Sequence, residues 1–158
     1  DGVGYVGICA GAFLAASNYS WSLGISNHKT FCETIDVPGI GRKSMWFRGG
    51  SAPVTMELTD EGRTILGDFE GIFEVRYQNG PIMSPMDRQG LGNFRSLAHF
   101  RSEVSKYKPQ EGTMINTPAV IVGEYGDGRV LCISPHPEST DALNRLVQNA
   151  VRWTARRR

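Results

Sequence analysis

The sequence lacks the features that mark proteins of membranes and of nucleic acids. No apolar run in its 158 residues approaches the roughly 20 residues of a membrane-spanning helix. Lys and Arg number 17 against 16 Asp and Glu, and the formal net charge of +1 provides no basic surface for nucleic acid. No signal-peptide pattern opens the chain. We therefore expect neither a membrane nor a nucleic-acid partner, and a cytoplasmic location unless an upstream targeting segment has been removed.

Cysteine is also scarce. The chain has three cysteines, an odd number that favours free thiols over a disulfide framework. Cys32 and Cys132 lie in strand-like runs and are predicted to be buried thiols, as is usual in a reducing compartment. No spacing of cysteine and histidine is typical of a zinc site. The sequence predicts neither a metal nor a cofactor.

The length and the hydrophobic pattern predict a single domain over residues 1–158. A small-residue helix is predicted at 12–16 and an amphipathic helix at the C-terminal end, with its apolar stripe from Leu143 to Trp153. Residues 94–107 fit a helix or a strand. Strands are predicted at residues 20–25, 31–37, 44–48, 54–58, 71–77, 118–125 and 129–133.

The most informative segment is Gly-Ile-Cys-Ala-Gly at residues 7–11, between a β-prone run and the first helix. A nucleophile held between a strand and a helix needs a sharp, strained turn, and such a turn requires small flanking residues. The helix N-terminus would favour the thiolate and lower the pKa of Cys9. The alternative is a small core cysteine at a glycine-rich strand end.

A second segment, Ser-Pro-His-Pro-Glu at residues 134–138, follows a β-pattern and precedes the last helix. A cysteine nucleophile needs a histidine to accept its proton and a carboxylate to orient that histidine. We therefore predict a triad of Cys9, His136 and Glu138. Taken alone, the His-Pro-Glu segment is typical of a turn with a surface charge. His28 and His99 are predicted to be surface or core histidines.

Together these segments resemble the class I glutamine amidotransferase-like superfamily, which carries a cysteine turn and a His-x-Glu near its end. The likeness covers residues 5–14 and 117–138. Within the superfamily the chain is most similar to the amidotransferase-like domain at the N-terminus of some biotin–protein ligases. Members of that group carry Cys-Ala-Gly followed by a small residue and an aromatic, and a Tyr-x-Asn-Gly segment that residues 77–80 match.

The resemblance implies a flavodoxin-like α/β fold with a doubly wound sheet, here lacking its first βα units and carrying a β-rich insertion in the middle. It also implies an oxyanion hole made by the backbone N–H of Ala10 and an N–H from an earlier loop, which these residues do not contain. We therefore expect a fragment or a processed product, whose sheet an upstream polypeptide completes. A bare sheet edge invites association, so a homo-oligomer is the other expectation.

Two positions depart from the family patterns. Glutamine amidotransferases usually have glutamine four residues after the cysteine, where it helps to grip the substrate, and this chain has Phe13. Hydrolysis of glutamine therefore does not follow from the resemblance. The peptidase and chaperone branch usually has histidine directly after the cysteine, and this chain has Ala10. The base must then be His136.

Four residues are weaker candidates for substrate contacts. Arg48, beside a pair of glycines, could place a cation near a substrate carboxylate, although a salt-bridged surface arginine is the simpler interpretation. Asn79 and Gly80 are candidates because they match the family segment, and Phe13 because it occupies the position that grips substrate.

These observations predict a cysteine-dependent amide hydrolase or an amidotransferase-type acyl transfer on a small-molecule amide or acyl substrate, without cofactor or metal. Two alternatives remain open. One is a binding or regulatory module of the same fold that catalyses nothing. The other is a thiol redox sensor in which Cys9 is oxidised instead of acylated.

Overall fold

The computed structural model describes residues 2–45, 50–104 and 112–155. These residues form ten strands, three α-helices and two single-turn 3₁₀ helices. The strands are β1 Tyr5–Ile8, β2 His28–Thr30, β3 Glu33–Val37, β4 Gly41–Met45, β5 Ser51–Leu58, β6 Ile72–Gln78, β7 Met83–Pro85, β8 Arg95–Phe100, β9 Pro118–Tyr125 and β10 Gly128–Ile133. The helices are α1 Ala10–Ala15, α2 Asp60–Leu66 and α3 Asn144–Thr154, and the 3₁₀ helices are Pro137–Ser139 and Asp141–Leu143.

Six strands form one curled sheet in the order β1-β10-β9-β8-β5-β6. The pair β1–β10 is parallel and the other four pairs are antiparallel. Two further pairs, β2–β7 and β3–β4, form small separate sheets. The α/β class and the β-rich middle are confirmed, whereas the flavodoxin-like arrangement stays a prediction.

Helices cover both faces of the sheet at β10. Its side chains alternate, so that Leu131 and Ile133 join the larger core cluster with residues of α3. Val130 and Cys132 join a smaller cluster with residues of α1. A strand that is apolar on both faces is typical of the middle of an α/β sheet. This burial fixes the end of β10, which leads into the His-Pro-Glu segment.

The first part of the chain differs from the sequence prediction at residues 20–25, where no strand forms. Gly24 has φ +62°. The Leu23 N–H donates to the carbonyl of Leu14 at 2.8 Å and the Gly24 N–H donates to Ala16 at 3.1 Å, so this segment packs against α1 as a loop. Residues 46–48 of the predicted strand at 44–48 lie outside the described residues, and residues 95–100 of the ambiguous segment form β8.

The longest described helix is α3, with 11 residues. Within the described ranges, no helix has both the length and the apolar character needed to cross a bilayer. Leu146 and Ala150 are buried on the core face of α3, as the predicted stripe requires, whereas Val151 is 51% exposed. The C-terminal helix is therefore an amphipathic helix that packs on the sheet.

Candidate active site

Cys9 lies on a strained turn between β1 and α1. Its backbone has φ 49° and ψ −102°, a combination that few residues with a side chain adopt. Its N–H donates to the carbonyl of Ile133 at 2.8 Å, which ties the turn to the end of β10. A conformation of this kind costs roughly 1–3 kcal/mol and is typical of functional sites. The predicted sharp turn at the cysteine is confirmed.

Of the two glycines that flank this turn, only Gly7 is required by close packing. A Cβ on Gly7 would lie 2.6 Å from the carbonyl carbon and oxygen of Gly11 and 2.7 Å from the ring of Tyr5. A Cβ on Gly11 would meet only the Tyr5 hydroxyl, at an ordinary 3.6 Å. That hydroxyl donates to the Gly11 carbonyl at 2.7 Å. Tyr5 and Gly7 therefore hold the start of α1 against β1.

The parallel pairing of β1 and β10 brings the two predicted motifs together. Ile8 lies opposite Ile133, so Cys9 and Ser134 leave neighbouring strands at the same edge of the sheet. Neighbouring strands are about 4.8 Å apart. His136 follows two residues later, where it opens the 3₁₀ helix Pro137–Ser139. The fold thus places the nucleophile candidate beside the segment that carries the base candidate.

His136 and Glu138 form a close pair. The Nδ1 of His136 lies 2.6 Å from Oε1 of Glu138, and the His136 side chain keeps 22% of its surface exposed. A carboxylate that accepts the Nδ1 proton fixes the tautomer in which Nε2 carries a lone pair. Such an imidazole can accept a proton at Nε2 and remain accessible to a reactant.

The end of β6 contacts both motifs through its main chain. The Cys9 thiol donates to the carbonyl of Gln78 at 3.4 Å. The His136 N–H donates to the carbonyl of Arg76 at 2.7 Å. A Cβ on Gly80 would lie 2.1 Å from the carbonyl oxygen of Ser134, so only glycine allows this approach. The segment 76–80 therefore holds the cysteine turn and the histidine segment in register.

Asn79 has a structural use in this arrangement. It adopts φ 56°, its Oδ1 accepts from the Gly50 N–H at 3.2 Å, and its own N–H donates to the Gly50 carbonyl at 3.3 Å. The Tyr77 hydroxyl donates to the Gly80 carbonyl at 2.7 Å. These bonds close the turn after β6. The substrate contacts predicted for Asn79 and Gly80 stay predictions.

The electrostatics of Cys9 differ from the sequence expectation. Partial burial raises the pKa of the Cys9 thiol, the hydrogen bond from the Ala10 backbone N–H lowers it, and the Glu138 carboxylate raises it further. Burial has the largest effect, so the pKa is raised, where the sequence predicted a lowered value. The Ala10 N–H faces the sulfur, as a donor to a developing oxyanion would. A thiol with a raised pKa is mostly protonated at neutral pH.

The structure supports a substrate contact for neither Phe13 nor Arg48. Phe13 is buried in α1, and its ring centroid lies 6.5 Å from that of Tyr19. Arg48 lies outside the described residues.

The structure also shows whether the other two cysteines are buried. Cys132 is fully buried and burial raises its pKa to about 12, as predicted, whereas Cys32 is exposed and its predicted burial is wrong.

His28 is a satisfied core histidine, one of the two alternatives predicted for it. Its Nδ1 lies 2.9 Å from the Ser26 hydroxyl and its Nε2 lies 3.2 Å from the Ala12 carbonyl. One proton on Nε2 satisfies both contacts in the neutral ring, with the Ser26 hydroxyl donating to Nδ1. Burial lowers the pKa of His28 to about 4, partly opposed by the hydrogen bond to Ala12.

His28 therefore predicts acid sensitivity. Between pH 6.5 and about 4 the unfolded chain binds a proton at this residue and the folded chain does not, so stability falls as the pH falls through this window. The loss reaches about 3 kcal/mol at the lower end. Thermal unfolding between pH 7 and pH 4.5 measures this loss of stability. In His28→Gln the stability should change less with pH. Equal slopes in the two proteins would contradict this assignment.

The sequence did not reveal the carbonyls of Arg76 and Gln78 as parts of the site. Main-chain acceptors carry no side-chain signature, and the Asn-Gly turn that follows β6 is the one signal that points to them. Within the ranges that the structure covers, no cluster of three or more His, Cys, Asp or Glu side chains could hold a metal ion.

The fold and the site define a mixed α/β domain with a cysteine on a strained strand-to-helix turn, beside a His-Glu pair at the end of the neighbouring parallel strand. A protein-family model described as "Biotin-protein ligase, N terminal" matches residues 1–155, and the chain belongs to this family. No curated protein matches it.

Proposed function

We propose that the chain catalyses cysteine-dependent amide hydrolysis or amidotransferase-type acyl transfer through Cys9, His136 and Glu138. The observation that carries this proposal is the strained backbone of Cys9, at φ 49°, beside a His136–Glu138 pair with a 2.6 Å contact. A strained backbone at a cysteine is typical of a functional site and supports chemistry at the sulfur. The substrate is a small-molecule amide or a related acyl compound.

In the proposed reaction Nε2 of His136 takes the thiol proton, and the Cys9 sulfur attacks the acyl carbon. The thiol must first turn from the Gln78 carbonyl, its acceptor in this structure. The Ala10 N–H stabilises the oxyanion, and Glu138 stabilises the imidazolium. Collapse breaks the bond to the leaving amine, which takes its proton from His136. Water or an acceptor amine then cleaves the thioester, with His136 as base. No cofactor or metal takes part.

The same proposal includes a partner for β1. Among the described strands β1 pairs only with β10, so its other edge is open to a further strand. An upstream polypeptide that pairs there would give the flavodoxin-like, doubly wound sheet and could supply the second oxyanion donor. Association with a second copy of the chain is the alternative way to cover this edge.

A non-catalytic module of the same fold is the second candidate function. The raised pKa of Cys9, caused first by burial, favours it because an unassisted thiol is a poor nucleophile at neutral pH. The two functions differ in whether His136 activates the sulfur.

Alkylation by iodoacetamide, followed at each cysteine by mass spectrometry, separates these functions. At pH 7 we expect His136→Asn to slow the alkylation of Cys9 by at least about tenfold, because the base has been removed. Exposed Cys32 should react equally in both proteins, and Cys132 should not react in either folded protein. An unchanged rate at Cys9 would support the inert module. A slowed rate alone would also fit a redox sensor, and covalent trapping of Cys9 by an electrophilic glutamine analogue would then favour acyl chemistry on glutamine.

A further inference from the structure

The last strand of the six-stranded sheet, β6, has an open edge next to the candidate active site. It pairs with β5 on one side, and no other described strand pairs with it. The open edge of a strand presents N–H and C=O groups that can bind another extended chain. The orientation of its backbone shows which groups are presented.

In an antiparallel pair, residues that lie directly opposite either exchange both hydrogen bonds or exchange none. Thr55 lies opposite Glu74, but its N–H donates to the Ser102 hydroxyl at 2.7 Å and its carbonyl accepts from the Arg101 N–H at 2.8 Å. Glu74 therefore directs its main chain away from β5. Because this direction alternates along a strand, Arg76 and Gln78 do the same, as their bonds to His136 and Cys9 also show.

The open edge has both occupied and free positions. The Gln78 carbonyl accepts from the Cys9 thiol, and the Arg76 carbonyl accepts from the His136 N–H. The Arg76 N–H and both main-chain groups of Glu74 have no hydrogen-bond partner in the described part of the chain. The free groups thus continue the same edge that holds the nucleophile candidate and the base candidate.

A cavity of about 450 Å³ lies beside these free groups. It is lined by residues 51–53 and 74–76 and by Ser139 and Thr140, which directly follow Glu138. The exposed side chains of Glu74 and Arg76 carry opposite charges in its wall. A chain that pairs with the open edge would place side chains beside or within this space.

We propose that this edge binds the main chain of an extended peptide whose amide carbon reacts at Cys9. This inference rests on the proposed function and names its substrate class as peptides or peptide-like amides. Arg76 and Gln78 are two residues apart, roughly 7 Å along a strand. Because His136 occupies the Arg76 carbonyl, a peptide that pairs with Glu74 and with the Arg76 N–H must leave the edge there, beside the base candidate and about two residues from the sulfur. A basic side chain opposite Glu74, or an acidic one opposite Arg76, would strengthen the pairing.

Three chloromethyl ketones test the inference on the whole chain: acetyl-alanine, acetyl-tetra-alanine, and the tetra-alanine probe with methylated internal amide nitrogens. In each case the Cys9 sulfur forms a bond to the methylene carbon, chloride leaves, and the thiol proton passes to His136. We expect the tetra-alanine probe to alkylate Cys9 at least about tenfold faster than the acetyl-alanine probe. Methylation removes the ladder donors, so the advantage should disappear.

A matched pair of variants tests the protein side. Glu74→Pro removes the N–H that faces the open edge and leaves the bonds to β5, whereas Glu74→Ala removes the same side chain and retains the N–H. The rate advantage of the tetra-alanine probe should collapse in the first variant and remain in the second. If circular dichroism shows that Glu74→Pro is unfolded, the methylated probe on the native protein decides.

The outcomes separate this inference from the proposed function. Equal rates for the long and short probes, with a rate at Cys9 that depends on His136, would overturn peptide pairing and leave acyl chemistry in place. If none of the three probes reacts faster at Cys9 than at exposed Cys32, the proposed function is overturned and this inference with it.

Discussion

Cys9→Ala is expected to lose acylation by p-nitrophenyl acetate, with a fall of at least about 10³-fold in the release of nitrophenol under single-turnover conditions. The reason is that Cys9 is the one thiol placed between the Ala10 N–H and the His136 segment. Mass spectrometry should find the acetyl group on Cys9 in the native protein. Alanine fits the space of the thiol, so the thermal unfolding midpoint should stay close to that of the native protein.

Substitutions of His136 and Glu138, the other two members of the proposed triad, should lower the acylation rate by different amounts. His136→Gln removes the base and should lower this rate by about 10² to 10⁴-fold. Glu138→Gln should reduce the acylation rate less. The Nδ1 of His136 lies 2.6 Å from a Glu138 oxygen, and the amide oxygen of glutamine can still accept its hydrogen bond there. Cys32→Ala is the matched control, since Cys32 is an exposed thiol. Acetyl transfer that survives in Cys9→Ala would remove the triad from consideration.

Because the pKa of Cys9 is raised, a comparison of its reaction rate with that of Cys32 is informative. Cys32 is exposed, whereas Cys9 is partly buried and burial raises the pKa of its thiol. If Cys9 nonetheless reacts faster than Cys32 at pH 7, something in the fold must remove its proton. The base proposed here is His136, so His136→Gln should remove this advantage of Cys9 over Cys32 at pH 7. A rate that rises steadily to high pH would mean that the thiol ionises without help.

The two motifs could be predicted from sequence because each depends on local chemistry. Gly7 before Cys9 predicts a tight turn, and the structure shows why, since a Cβ there would strike the main chain of Gly11. The spacing of His136 and Glu138 predicts a contact that the 3₁₀ helix provides. The parallel pairing of β1 with β10 then brings the two motifs to the same edge of the sheet.

Contacts that join distant segments through the main chain could not be predicted. The carbonyls of Arg76 and Gln78 reach the site because the sheet curls until the end of β6 meets the end of β1, and no side chain encodes that curl. The prediction of a strand at residues 20–25 was wrong for a related reason. Alternation there is real, but Leu23 and Gly24 find their acceptors on α1 instead of on a strand. Cys32 is exposed because it lies between β2 and β3 and in neither.

Gly80→Ala is the second variant with a large expected effect. The new Cβ would lie 2.1 Å from the carbonyl oxygen of Ser134 and 2.7 Å from its hydroxyl, and the first of these is backbone that cannot rotate away. The turn after β6 must therefore separate from the segment that leads to His136. Overpacking of this kind costs about 1–3 kcal/mol. We expect the thermal unfolding midpoint to fall by roughly 3 to 10 °C.

The same variant should impair acylation by more than its loss of stability explains. The displaced turn follows directly on the end of β6, whose Gln78 carbonyl contacts the resting Cys9 thiol and whose Arg76 carbonyl holds the His136 N–H, so its shift moves the two motifs relative to each other. A shift of about 1 Å between reacting groups costs on the order of 10²-fold in rate. Both effects are measured in the folded protein, well below its unfolding midpoint.

Gly92→Ala is the control for this comparison, because a Cβ at that position meets nothing within 4 Å. Its unfolding midpoint and its acylation rate should match those of the native protein. If Gly80→Ala behaves like Gly92→Ala in both measurements, the contact between the turn and Ser134 cannot be what aligns the sulfur with the imidazole. If Gly80→Ala loses stability and retains its acylation rate, β6 stabilises the fold, and the pairing of β1 with β10 alone aligns the sulfur with the imidazole. Only a joint loss places the end of β6 in the catalytic arrangement, where its carbonyls bond the Cys9 thiol and the main chain of His136.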